Sequence, residues 1–185
     1  MDVLEAIRTR HSIAKVKSDP VPRALIERLL DAAVQAPNHH STQPWRFVVL
    51  TGPGRERLGE VMARSLKKQK PELPDSGLEI ERAKPLRAPL LIAVGMEKSS
   101  DPRVMEIEDI CAVAAAVENL LLAAHGLGLG AMWRTGKAAD DPLVKQFLGF
   151  AVDAPLIGFI YVGFPEAHPD FADRPSFENR TVWME

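Results

Sequence analysis

The stretch that decides the fold runs from Glu106 to Gly136, EIEDICAVAAAVENLLLAAHGLGLGAMWRTG. From Glu106 to Gly126 it is apolar almost all round, which predicts a long helix buried on most faces, in a core or against a second subunit. Glycines follow at 126, 128 and 130, and Gly130 to Trp133 reads as the start of a short strand. Such glycines invite a dinucleotide-fold reading, but that fingerprint needs a strand before them and a helix after them. Here the order is reversed. They fit better as a helix stop, with the later ones letting a second chain or a flat ligand approach the backbone.

Outward from this stretch, strands are expected at Trp45–Leu50, Pro89–Val94 and Ala154–Val162, where apolar, aromatic and β-branched residues run together. Helices are expected at Asp2–Thr9, Arg23–Gln35, Arg55–Lys68 and Asp141–Leu148. Asp2 caps the first. Ala36-Pro37 ends the second, because proline disfavours helix in the residue before it. Pro142 suits the first turn of the last. Thr51–Gly54 reads as a turn. The segment 69–84 is charged, holds Pro71, Pro74 and Gly77, lacks sustained apolar periodicity, and is the candidate for a mobile lid. From Pro165 a polar tail runs to Thr181-Val182-Trp183-Met184, whose apolar end is expected to pack on something, such as a partner subunit. Strands separated by helices indicate a layered α/β or α+β domain.

The 185 residues, 46% hydrophobic, are expected to form one domain spanning 1–185 with a core that needs no metal or disulfide. Cys111 is the single cysteine and reads as a small buried hydrophobe. A formal net charge of -2 argues against nucleic-acid binding and against a polybasic membrane anchor. No stretch approaches the ~20 apolar residues of a membrane span, and no secretory signal opens the chain. A soluble, cytoplasmic protein is expected.

Three clusters are candidates for chemistry. Arg8, Arg10, His11, Ser12 and Lys15 gather cations and a hydroxyl at the end of the first helix. They suit a phosphate, or simply answer the helix dipole. The loop Asn38–Trp45 holds His39 and His40, but no acidic or sulfur partner stands at ligand spacing, so no metal is expected. It suits ligand contact or plain solvation. The third cluster is the glycine run with Trp133, Arg134 and Thr135. Glu106, Glu108 and Asp109 are explained by their place at a helix start. No Gly-x-Ser-x-Gly elbow is present.

Arg10-His11-Ser12, then Ala36-Pro37 with Gln43-Pro44-Trp45-Arg46-Phe47, then Gly126-Leu127-Gly128-Leu129-Gly130 with Trp133-Arg134 stand in an order and spacing that together resemble the nitroreductase family, in its minimal bacterial form. The resemblance spans Val3 to Phe164. It implies an α+β fold, a central mainly antiparallel sheet flanked by helices. It implies a homodimer with FMN at the subunit interface, reduced by NAD(P)H and reoxidised in turn by a nitroaromatic, quinone or similar acceptor. By similarity, Arg10, His11 and Ser12 hold the flavin phosphate and ribityl region. Gln35 and His39 contact FMN from the other subunit, and Trp133, Arg134 and Thr135 border the ring. Ala123, Ala124, His125, Gly126, Leu127 and Gly128 match a segment associated with the nicotinamide cofactor. No side-chain acid or base is implied, since the chemistry belongs to the flavin. Arg10 or Lys15 could place charge at the pyrimidine edge. Ser41 stands near a position where many family members carry a flavin-touching Asn. A same-fold flavin dehydrogenase with another substrate, a non-catalytic flavin-binding sensor and a protein-interaction domain remain alternatives.

Overall fold

The most apolar strand takes the centre of the sheet. The computed structural model describes residues 1–167 and 174–185. Within them, β1 (Trp45–Thr51), β2 (Leu90–Met96), β3 (Gly130–Arg134) and β4 (Leu156–Gly163) form one sheet. The order is β1-β2-β4-β3 and every neighbouring pair is antiparallel. Every residue of β2 is buried, because helices cover both of its faces.

The helices are α1 (Val3–Thr9), α2 (Arg23–Ala33), α3 (Pro53–Gln69), α4 (Asp75–Ala83), α5 (Glu106–Gly126), α6 (Lys137–Asp140) and α7 (Pro142–Leu148). The two-residue period of β2 sorts its side chains between them. Leu90, Ile92 and Val94 share one core with Ile26 and Leu29 of α2 and Val113, Val117 and Leu120 of α5. Leu91 and Ala93 share the other with Leu58 and Met62 of α3 and Val144 and Leu148 of α7. The fold is α+β, as expected. Leu120→Ala should cost about 2–5 kcal/mol, because this side chain is wholly enclosed and leaves a cavity. A urea titration followed by circular dichroism measures it.

Two local expectations are corrected, and one segment shows an element the sequence reading did not place. Pro53 opens α3, since proline is favoured in a first helical turn, and the turn shrinks to Gly52 at φ 45°. Cys111 is exposed rather than buried. Ala112, Val113 and Ala116 turn inward from α5, while Ile107, four residues before Cys111 and on the same side, is 59% exposed. Segment 69–84 contains α4, which packs on α3. Leu78 is its buried residue, and the Arg82 backbone comes close to α3. A Cβ on Gly59 would stand 2.2 Å from the Arg82 carbonyl oxygen. Residues 168–173 of the expected C-terminal tail lie outside the described residues.

Candidate active site

Arg10 closes α1, its backbone N–H donating to the Ala6 carbonyl at 3.0 Å. The following arm lies flush against the sheet. Ile13 N–H donates to Ala131 O at 2.9 Å, Lys17 N–H to Phe164 O at 2.7 Å, and Val16 bridges Pro165. Glycines make this possible. A Cβ on Gly130 would stand 2.8 Å from Ile13, and one on Gly163 would stand 2.9 Å from Val16. Gly128, at φ 73°, ends the path of α5 in a conformation other residues rarely adopt. Of the two uses expected for the glycine run, Gly130 serves the approach of a second chain segment.

Arg10 and His11 line a cavity of about 320 Å³ between α1 and α5, together with His125, Gly128 and Leu121. Thr9 Oγ1 and His125 Nε2 are hydrogen-bonded at 2.8 Å. Arg10 Nε donates to Glu118 Oε1 at 3.2 Å, and its side chain is 14% exposed. Ser12 and Lys15 are exposed on the arm. Of the segment matched to the nicotinamide cofactor, His125 and Gly128 face this cavity. Ala124 is a core residue, Ala123 and Leu127 pack partly against that core, and Gly126 is exposed.

Trp133, Arg134 and Thr135 lie on a second cavity, of about 550 Å³. Trp133 Nε1 donates to Ile157 O at 3.2 Å, which lays the indole across β4. That path exists because Gly158, at φ 150°, has no side chain there. A Cβ would stand 2.6 Å from Trp133 Nε1 and from Arg134 O. The other walls bring Met62 and Gln69 of α3, Phe159 and Tyr161 of β4, and Lys84 and Arg87 from the turn after α4. The Arg134 guanidinium carbon sits 5.7 Å from the Tyr161 ring centre, within cation–π range. Burial pushes the Tyr161 hydroxyl above its ordinary range, against the pull of Arg87 and Arg134, so it stays neutral at pH 7. Glu81 is paired with Lys84. The cavity therefore offers aromatic and apolar surface to a flat ring and positive charge to whatever negative charge that ring carries.

The loop before β1 is tightly held. His40, Ser41 and Gln43 have φ of 51°, 53° and 45°. Asn38 Oδ1 accepts from Gln43 N–H at 3.0 Å. Thr42 Oγ1 donates at 2.7 Å to Asp109, which is 1% exposed. Asp109 thus anchors the loop, a role its place at a helix start did not suggest. Gln35, just past α2, and His39, in this loop, are both exposed and line neither cavity.

Sequence reasoning missed Gln69, Lys84, Arg87 and Asp141 on the larger cavity. Gln69 and Lys84 bound the segment read as a candidate mobile lid, and both line this cavity. Asp141 announced itself as the residue before Pro142, but only as a helix start.

Sequence and fold both have counterparts among known proteins. The sequence profile described as the Nitroreductase family matches residues 7–164. YfhC of Bacillus subtilis, assigned by name to the NAD(P)H nitroreductases, is 32% identical over 97% of this chain and 93% of its own. YdjA of Escherichia coli, named likewise, is 32% identical over 90% of each chain. A nitroreductase-like protein from Bacillus cereus superposes with a TM-score of 0.88 at 26% identity, covering 100% of this chain and 97% of the other. A nitroreductase-type protein of Desulfovibrio desulfuricans, solved in complex with FMN, gives 0.75 at 27% identity, covering 100% and 97%. The chain belongs to the nitroreductase family.

Proposed function

We propose that the chain is an FMN-dependent oxidoreductase that takes electrons from NADH or NADPH and passes them to a nitroaromatic, quinone or similar acceptor, the two substrates using the site in turn. One observation carries the reading. The Trp133–Gly136 segment forms one wall of a cavity whose other walls hold aromatic rings and cations. The FMN held by the Desulfovibrio relative supports the choice of cofactor.

The residues present fit that group. Arg10, His11 and Ser12 hold the phosphate and ribityl chain, and Trp133, Arg134 and Thr135 border the ring. Among the described residues Arg10 uses only Nε on a side-chain partner, Glu118. That ion pair aims the guanidinium while its terminal amino groups stay available to a phosphate. FMN, when bound, supplies the hydride and electron transfer. The chain binds it, orients it and surrounds it with charge. The nicotinamide cofactor is assigned to the segment Ala123–Gly128.

Gln35 and His39 serve the site of a second subunit in this reading, which makes the protein a homodimer. Exposed apolar residues support it: Val3, Leu4 and Ile7 on α1, and Phe177, Val182 and Trp183 near the C-terminus. Among the described residues no helix is long and apolar enough to cross a membrane. We place the protein in the cytoplasm.

The test is the visible spectrum of the purified protein, before and after anaerobic NADH or NADPH. A flavin spectrum that bleaches is the expected result. A colourless protein that takes up no added FMN would end the reading. Arg10→Ala should weaken FMN binding by roughly tenfold or more, the worth of a charge-assisted hydrogen bond, with an unchanged urea midpoint. Flavin fluorescence quenching measures the first quantity. Unchanged affinity removes Arg10 from the site.

A further inference from the structure

The wall of the larger cavity contains a buried polar network that the proposed function does not use. Asp141 and Ser65 are 6% and 5% exposed. Asp141 Oδ1 accepts from the backbone N–H groups of Leu143 and Val144 at 2.9 and 3.2 Å, capping α7. Its Oδ2 accepts from the Ser65 hydroxyl and from Gln69 Nε2, the latter at 2.8 Å. Gln69 Nε2 also donates to Ser65 Oγ at 3.3 Å.

Donor and acceptor counting fixes the orientation of the Gln69 amide. An ionised carboxylate only accepts, so the amide must turn its nitrogen, not its oxygen, toward Asp141. The Ser65 hydroxyl has given its one hydrogen to Asp141, so it too can only accept from Gln69. Asp141 and Ser65 lie on the same side of the amide nitrogen and share one of its hydrogens, which fixes the nitrogen toward the wall. Gln69 lines the cavity with its amide held in this orientation, and its carbonyl oxygen, which has no partner among the described residues, is the acceptor it has to offer a ligand, beside its second N–H. The same cavity is lined by four cations, Lys84, Arg87, Arg134 and Lys137, and by Glu81, which Lys84 pairs. An acceptor flanked by donors is the complement of an imide edge, O=C–NH–C=O, in which one N–H lies between two carbonyls.

We propose that Gln69 accepts a hydrogen bond from the imide N–H of the ring bound in this cavity, and that Asp141 and Ser65 are positioning residues that hold the Gln69 amide in accepting orientation. This rests on the flavin reading, in which the imide is the pyrimidine edge of FMN. The wall makes the site selective for rings that carry this N–H, because a ring methylated there would leave the Gln69 oxygen facing a methyl group.

The test compares binding of FMN and of FMN methylated at the imide nitrogen (N3-methyl-FMN) to the flavin-stripped protein, by quenching of flavin fluorescence. The wild type should bind FMN at least tenfold more tightly than the methyl derivative, the cost of one unmatched polar group. Gln69→Met, similar in size but a poor acceptor, should bring the two affinities together. Asp141→Asn is the second variant. Asn caps a helix as well as Asp does, so α7 keeps its start, but an amide also donates and no longer forces the Gln69 nitrogen inward. It should lower the discrimination while the urea midpoint holds, which a purely structural role for Asp141 would not do. Equal wild-type affinity for the two flavins overturns this inference and leaves the flavin reading standing. So does discrimination that survives in Gln69→Met. A wild type that binds neither flavin overturns both.

Discussion

Gly59→Ala should lower stability by about 2–3 kcal/mol, although alanine in a helix interior ordinarily gains about 1 kcal/mol over glycine. The sign is decided by what the new methyl meets. It would stand 2.2 Å from the Arg82 carbonyl oxygen, a backbone atom that cannot rotate aside. Either α4 lifts from α3 or the carbonyl gives up its place. Both outcomes open the segment between Lys70 and Arg87 to proteolysis and move Lys84 and Arg87 on the cavity wall. The midpoint of urea unfolding and the rate of tryptic cleavage in that segment are the two measurements. A raised midpoint would show that α4 follows the methyl outward without loss, and that its packing on α3 is incidental.

Gly158→Ala should cost a similar amount of stability and remove most flavin binding. Two penalties add. A side chain at φ 150° is strained, by about 1–3 kcal/mol. The methyl also lies 2.6 Å from both Trp133 Nε1 and Arg134 O, so the indole must leave β4 and give up its bond to Ile157 O. Gly149→Ala supplies the control. Gly149 has φ 80°, and a Cβ there would meet no atom within 4 Å, so the change carries strain without collision. Gly149→Ala should lose roughly 1 kcal/mol and keep its flavin affinity. If Gly158→Ala binds FMN as Gly149→Ala does, the lie of Trp133 is irrelevant to the site.

The elements with their own signal were legible. The long apolar run of α5, the three strong strands and the punctuation by Pro37 and Pro142 all reached the structure with small shifts at their ends. α4 was not legible, because it is only nine residues long, carries Gly77 and several charged residues, follows Pro71 and Pro74, and buries only Leu78. Of the candidate residues read from the sequence, the structure brings some together in two cavities. Trp133, Arg134 and Thr135 share one cavity, and Arg10, His11, His125 and Gly128 share another. What was hidden is assembled across the chain: Gln69 and Asp141 meet only after α3 and α7 pack on the same face of the sheet. The loop anchor was hidden for the same reason, since Thr42 and Asp109 are joined only when α5 lies beside the loop.

The strand order also governs when the protein can fold. β2 has β4 as one of its two neighbours, and Leu90 waits for Val162. Among the described residues β3 pairs with β4 alone, although it is made earlier. During synthesis from the N-terminus, the most apolar strand therefore stands with one edge open until β4 emerges. Such an exposed edge invites pairing between nascent chains. A ribosome stalled before residue 156 should hold a β1–β2 pair with helices around it but no complete sheet, and yield from an overexpressed chain should depend on chaperones.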